Sequence, residues 1–180
     1  MLQSFSAAKA SLREIVFGLE DGLVSTLGAI TGIATATGDP RIVVISGLVI
    51  VAVESLSMAA GTYLSNKSEI EAKKPWFPFI RKNYHQPLRD SVFMGVSYII
   101  GGSVPVSIYL FLPVAAAIWV AVIITAISLF LVGTVKGKVV GSHPAKSGLE
   151  MMTISLTAAL LGFVIGKLAS NAFPGVQLAG

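Results

Sequence analysis

Three side chains in two apolar stretches have types and spacing suited to binding a cation. Asp21 follows Ile15 by six residues in the first apolar block, and Glu54 closes the run Ile42–Ala52 in the second. Met58 lies four residues beyond Glu54, so on a helix the two share one face. A carboxylate this deep in an apolar segment is expensive unless it has a partner or a task. Two carboxylates bind hard and borderline divalent cations, and a thioether adds tolerance for softer ones such as Fe²⁺. Such carboxylates can also exchange a metal ion for protons.

The depths agree if the two blocks are antiparallel helices. At 1.5 Å per residue, Asp21 lies about 9 Å from the start of a span at Ile15. Met58 lies about 9 Å from the end of a span at Leu64. The spacing therefore sets Asp21 and Met58 at one level, with Glu54 one turn nearer the midplane. Glu20 adjoins Asp21 but points about 100° away on a helix, so Asp21 ranks above it. Each residue has a plainer reading. Met58 alone reads more simply as packing, and Asp21 and Glu54 can serve as inter-helix hydrogen-bonding groups. Glu20, Glu69, Glu71 and Glu150 are secondary or entrance candidates. His85 and His143 stand in loops without a second histidine at ligand spacing.

These residues have to be held by membrane helices. Of the 180 residues 54% are hydrophobic and 12% charged, about half the charge of a soluble domain, and mean hydropathy is +0.81. The apolar residues come in blocks close to the ~20 needed to cross a bilayer. A soluble helical bundle would need polar faces that these blocks lack. The expected fold is all-α: a polytopic membrane protein in one domain, with five transmembrane helices over roughly 15–37, 42–64, 89–112, 114–135 and 147–169. A short cytoplasmic loop over 65–88 carries Pro75-Trp76-Phe77-Pro78-Phe79, a composition suited to the headgroup zone. Pro105 predicts a kink in the third span, and Leu112-Pro113 predicts a tight hairpin after it. Lys136–Lys146 reads as a short basic loop.

Charge placement gives the orientation. With the N-terminus inside, Lys9, Arg13, Lys67, Lys73, Lys74, Arg81, Lys82, Arg89, Lys136, Lys138 and Lys146 face the cytoplasm, eleven of thirteen basic residues. Only Arg41 and Lys167 fall towards the other side, so the N-terminus is expected to be cytoplasmic and the C-terminus opposite. The first span carries two GxxxG pairs, Gly18/Gly22 and Gly28/Gly32, which let another helix approach closely. There is no cysteine, hence no disulfide framework or thiolate metal site. No Ser/His pair or zinc motif supports an enzyme. The basic residues follow membrane topology rather than a nucleic-acid-binding stripe.

Glu20–Ala34, EDGLVSTLGAITGIA, and Ser55–Glu69, SLSMAAGTYLSNKSE, resemble the two most recognisable segments of the vacuolar iron transporter family. That family includes the yeast Ca²⁺-sensitive cross-complementer and plant nodulin-21-like proteins. Pro87-Leu88-Arg89-Asp90, Gly101–Pro105 and Ser147-Gly148-Leu149-Glu150 extend the resemblance over nearly the whole chain. It implies a five-helix homodimer that moves Fe²⁺, often Mn²⁺, out of the cytosol in exchange for protons, with no permanently bound cofactor. It also implies that Asp21 and Met58 are the aspartate and methionine of the ion pathway. Two departures stand out. Where the iron-transporting branch often has a glutamate eight residues before the methionine, this chain has Ile50, with Glu54 one turn later. The loop after the second span is too short for a glutamate-rich metal-binding domain, which leaves the choice of metal open. The expected place is the cell membrane, with a vacuolar or other organelle membrane as the alternative. The competing function is a non-transporting scaffold or accessory subunit of the same fold.

Overall fold

A computed structural model describes residues 2–72 and 85–172, with side chains from Ser11 onward. The described residues form five α-helices: α1 Leu2–Thr37, α2 Pro40–Ala72, α3 His85–Ile108, α4 Val114–Val140 and α5 Pro144–Ala172. All five contain a stretch long and apolar enough to cross a membrane. Among the described residues there is no strand. In lipid a backbone must satisfy its own hydrogen bonds, and a helix does so within one segment. The side chain of Lys9, the basic residues Lys73, Lys74, Arg81 and Lys82, and the aromatic run Pro75–Phe79 lie outside the described residues.

The helices overrun the expected spans at several ends. Ser65–Ala72 continues α2 and His85–Leu88 already belongs to α3, so the expected loop is helical at both margins. The basic stretch Lys136–Lys146 is also mostly helix, and only Gly141, Ser142 and His143 connect α4 to α5. Polar composition misleads at such sites because a helix can carry its own backbone bonds past the apolar zone. Gly141 stops α4 at φ +79°, and Ser142 N–H closes back on the Gly137 carbonyl at 2.9 Å. The α1–α2 turn forms at Gly38, φ +66°. Asp39 Oδ1 caps α2 by accepting from Arg41 N–H at 2.7 Å, with Pro40 as the first helical residue. Pro105 lies inside α3, which ends at Ile108, four residues short of the expected Leu112, in a run of i→i+3 turns.

α1 and α3 lie at the centre. Half of the apolar window of α3 is buried, against 22% for α2. Glycine makes the closeness possible. A Cβ on Gly18 or Gly22 would sit 2.6 Å from the Met94 carbonyl oxygen or 2.5 Å from that of Tyr98, and one on Gly101 would sit 2.6 Å from that of Leu19. On the other side of α1, a Cβ at Gly162 or Gly166 of α5 would run into the carbonyl oxygens of Gly28 and Gly32. Both GxxxG pairs thus lie against a helix of the same chain. Leu27, Ile30, Val43, Val106, Ala117 and Ala121 form the main apolar core. Leu23, Leu129 and Met151 form a smaller one. The outer faces of α2, α4 and α5 leave Leu48, Leu56, Ile123, Leu131 and Leu160 exposed, as lipid-facing surfaces require.

Candidate functional site

Glu54 is held by two hydroxyls from two other helices. Tyr98 of α3, fully buried, donates its phenol O–H to Glu54 Oε2. Ser25 of α1 has its Oγ 3.2 Å from the same oxygen and 2.6 Å from the Tyr98 oxygen. Ser25 Oγ also lies 2.6 Å from the carbonyl oxygen of Asp21, one turn earlier on α1. The Asp21 carboxylate is half-buried and close enough to Glu54 for the two charges to act on each other. So α1, α2 and α3 bring two acids, one serine and one phenol together inside the bundle. The pairing of Ser25 with Glu54 sets the register of the antiparallel α1 and α2. Stepping one turn back on α1 and one forward on α2 brings Asp21 level with Met58.

A cavity of about 900 Å³ opens at the end of α1 and α2 nearer the α2–α3 connection. Arg13, Glu14, Glu20, Met58, Asn66 and Lys136 line it, with an apolar wall that includes Phe17 and Val140. Thus Met58 shares this cavity with Glu20, whereas Asp21 stands on the Glu54 side. The 100° between neighbouring residues of α1 divides the acids between two places. Glu14, only 4% exposed, is paired with the exposed Arg13 at 3.0 Å. Burial makes a partner necessary for that carboxylate, and the adjacent guanidinium supplies it.

The other candidates fall elsewhere. Glu69 and Glu71 are exposed on the last turns of α2, beyond the lining of the cavity. Glu150 is exposed and faces Lys146 one turn away at 4.0 Å, a surface contact of small energetic weight. Three contributors were not singled out from sequence. Ser25 and Tyr98 are ordinary membrane-helix residues until the helices are packed, and Glu14 precedes the apolar block and reads as interfacial. Asp90 was seen only as part of a motif. It is 1% exposed and accepts from Ser11 Oγ at 3.0 Å and from Arg89 at 3.2 Å, tying α1 at Ser11 to α3.

Among the described residues no three His, Cys, Asp or Glu side chains group closely enough to cage a metal. An arrangement of two carboxylates with hydroxyls and a thioether nearby suits a cation that keeps part of its water and moves on.

A model of the VIT family matches residues 12–75 and 76–167. This chain belongs to the VIT family. The match breaks between Pro75 and Trp76, in the α2–α3 connection. The chain covers most of the length of its relatives. Vacuolar iron transporter 1 of Eucalyptus grandis is 26% identical over 87% of this chain and 85% of its own. Vacuolar iron transporter 1 of Arabidopsis thaliana is 24% identical over 89% and 86%. An uncharacterized protein of Methanocaldococcus jannaschii is 28% identical over 88% and 90%. The chain is thus a multi-pass membrane protein of the VIT family.

Proposed function

We propose that this chain moves a divalent transition metal, Fe²⁺ or Mn²⁺, out of the cytosol in exchange for protons. The observation that carries the reading is Glu54, a carboxylate held inside the span bundle by Ser25 and Tyr98, with a second acid, Asp21, one turn from Ser25 on α1. Membership of the VIT family, whose relatives include named iron transporters, supports metal as the substrate. In this reading Glu20 and Met58 receive the ion in the cavity, and Asp21 and Glu54 bind it deeper in. The metal is the transported substrate, and no resident cofactor takes part. Two acids alternating between metal and protons would couple the two flows.

The orientation rests on charge, with the N-terminus and the cavity in the cytoplasm under the positive-inside rule. The C-terminus then lies opposite. We place the protein in the cell membrane. The word vacuolar in the plant relatives' names supports an organelle membrane instead, and a fluorescent fusion decides between them. A homodimer remains part of the reading. An apolar groove of about 510 Å³ on α1 and α5, lined by Val24, Ala29, Ile33, Leu161 and Ile165, offers a surface for a second copy.

The competing reading is a non-transporting scaffold, favoured by the lack of a three-residue metal cage among the described residues. Liposomes with an internal metal-sensitive dye separate the two. Fe²⁺ or Mn²⁺ uptake that needs a pH gradient and is lost in Asp21→Asn supports exchange. Absence of flux for every divalent ion with folded protein leaves the scaffold.

A further inference from the structure

The cavity beside Met58 carries positive charge that a metal path does not need. Arg13 of α1 and Lys136 of α4 both line it. Helix packing sets their depth. Gly28 and Gly32 of α1 meet Gly162 and Gly166 of α5, while Gly133 and Gly137 of α4 meet Gly148 and Pro144 of α5. Counting along these pairs brings Lys136 level with Ser11–Arg13. The Ser25–Glu54 contact brings Asn66 of α2 to the same level. Arg13, Asn66 and Lys136 therefore stand around the mouth, with Glu20 and Met58 deeper. Seven residues separate Arg13 from Glu20, about 10 Å of rise.

At the mouth two cations face one acid. Arg13 pairs with Glu14 at 3.0 Å through one nitrogen, which leaves other N–H donors of the guanidinium free to bind. Lys136 is half-buried and makes no ion pair among the described residues. A lysine that only reaches for the headgroups would sit exposed, as Lys138 does two positions on. Around these charges the surface is apolar, with Phe17, Val139 and Val140 exposed. One side of the cavity is a gap. α2 packs on α1 and α3, and α4 packs on α1, α3 and α5, so α2 and α4 stand apart across the cavity. Basic pockets between membrane helices suit lipid phosphate groups.

We propose that this mouth binds one anionic phospholipid. Lys136 and Arg13 hold its phosphate, the Asn66 amide donates to a phosphate oxygen, and an acyl chain lies in the gap against Phe17 and Val140. A zwitterionic lipid fits less well, because its ammonium or choline group would meet the same two cations. The bound phosphate offsets charge that an incoming metal ion would otherwise have to pass. The site itself stands on the packing and the charges, independently of the transport reading.

Native mass spectrometry of the delipidated full chain in neutral detergent tests this, with dioctanoyl phosphatidylglycerol, dioctanoyl phosphatidylcholine and inorganic phosphate as probes. Wild type should hold one phosphatidylglycerol at least tenfold more tightly than phosphatidylcholine. Equal binding of the two lipids overturns the proposal without any variant. Lys136→Gln should weaken phosphatidylglycerol binding five- to tenfold, and Lys136→Arg should stay within twofold of wild type. Lys138→Gln removes the same charge outside the cavity and should change nothing. Equal weakening in the two glutamine variants would mean diffuse attraction to a basic surface and overturns the site. Displacement of the lipid by inorganic phosphate at equal concentration would make the site one for free phosphate and overturns the lipid as its occupant.

Discussion

Ser25 and Glu54, on different helices and 29 positions apart, meet at 3.2 Å on an oxygen that Tyr98 also holds. This contact locks the register of α1 against α2 and puts Asp21 one turn away from the same carboxylate. It also makes Glu54 a structural residue as well as a candidate ligand. The two roles separate by substitution. Glu54→Gln keeps an acceptor for Tyr98 and Ser25 and removes the charge, so it should fold normally and lose metal flux by at least tenfold. Glu54→Ala removes the acceptor too and takes its carboxylate partner from the buried Tyr98 phenol, which should cost a further ~1–3 kcal/mol of stability. Thermal unfolding in detergent beside liposome flux checks both. Flux retained in Glu54→Gln would remove Glu54 from the pathway.

Glu20 and Asp21 are neighbours in sequence but serve different places, so their neutral variants should fail differently. Glu20 shares the cavity with Met58. Glu20→Gln should raise the half-saturating metal concentration several-fold and leave maximal flux within about twofold. Asp21→Asn should abolish flux at any metal concentration. An entrance group raises local cation concentration and is partly replaceable by more cation, whereas a ligand deeper in the path is not. Equal losses of maximal flux in the two variants would contradict this division.

The parts legible in sequence are those carried by one helix at a time. Five apolar blocks pointed to the fold, and the antiparallel rise set Asp21 level with Met58, with Glu54 one turn nearer the midplane. What was not legible depends on which faces meet. Gly18 and Gly28 both belong to GxxxG pairs, yet one packs on α3 and the other on α5. Nothing in the spacing tells them apart. Tyr98 and Ser25 acquire their role only once three helices converge. The extension of α2 through Ala72 was hidden by polar composition, because length past the apolar zone leaves no hydropathy signal.

The α1–α5 contact leaves no room for a methyl group at Gly162, since its Cβ would collide with the Gly28 carbonyl. Gly162→Ala should lower stability by ~2 kcal/mol or more, because a backbone collision cannot be relieved by a rotamer change. Gly61→Ala is the control. A Cβ there meets nothing within 4 Å, and alanine favours the helix by about 0.5–1 kcal/mol. It should be neutral or slightly stabilising by thermal unfolding. A Gly162→Ala protein as stable as wild type would mean that α1 and α5 are farther apart than described.

Asp90 of α3 ties that helix to α1 through Ser11, nine residues after Leu2. Asp90→Ala should destabilise the protein by about 3 kcal/mol, as the Ser11 hydroxyl and the Arg89 guanidinium both lose a charged partner. Asp90→Asn keeps an acceptor for Ser11 and should cost less. Proteolysis of the N-terminal turns reads the difference directly, because it samples the opening of α1 rather than the whole bundle. Equal cleavage rates in wild type and Asp90→Ala would show that α1 is held elsewhere.

Met58 tests metal choice without touching a charge. It is half-buried and lines the cavity with Glu20. Leucine matches its volume closely, so Met58→Leu should fold and cost less than about 1.5 kcal/mol as a packing change. A thioether contributes to binding of softer, later transition metals and adds almost nothing for Mg²⁺ or Ca²⁺. If the sulfur meets the ion, Met58→Leu should lower Fe²⁺ and Co²⁺ flux five- to tenfold, with a smaller drop for Mn²⁺. If Met58 only packs, all metals should fall together or not at all. Competition between Fe²⁺ and Mn²⁺ in one liposome preparation gives the ratio free of differences in protein content. A ratio unchanged from wild type would return Met58 to the core.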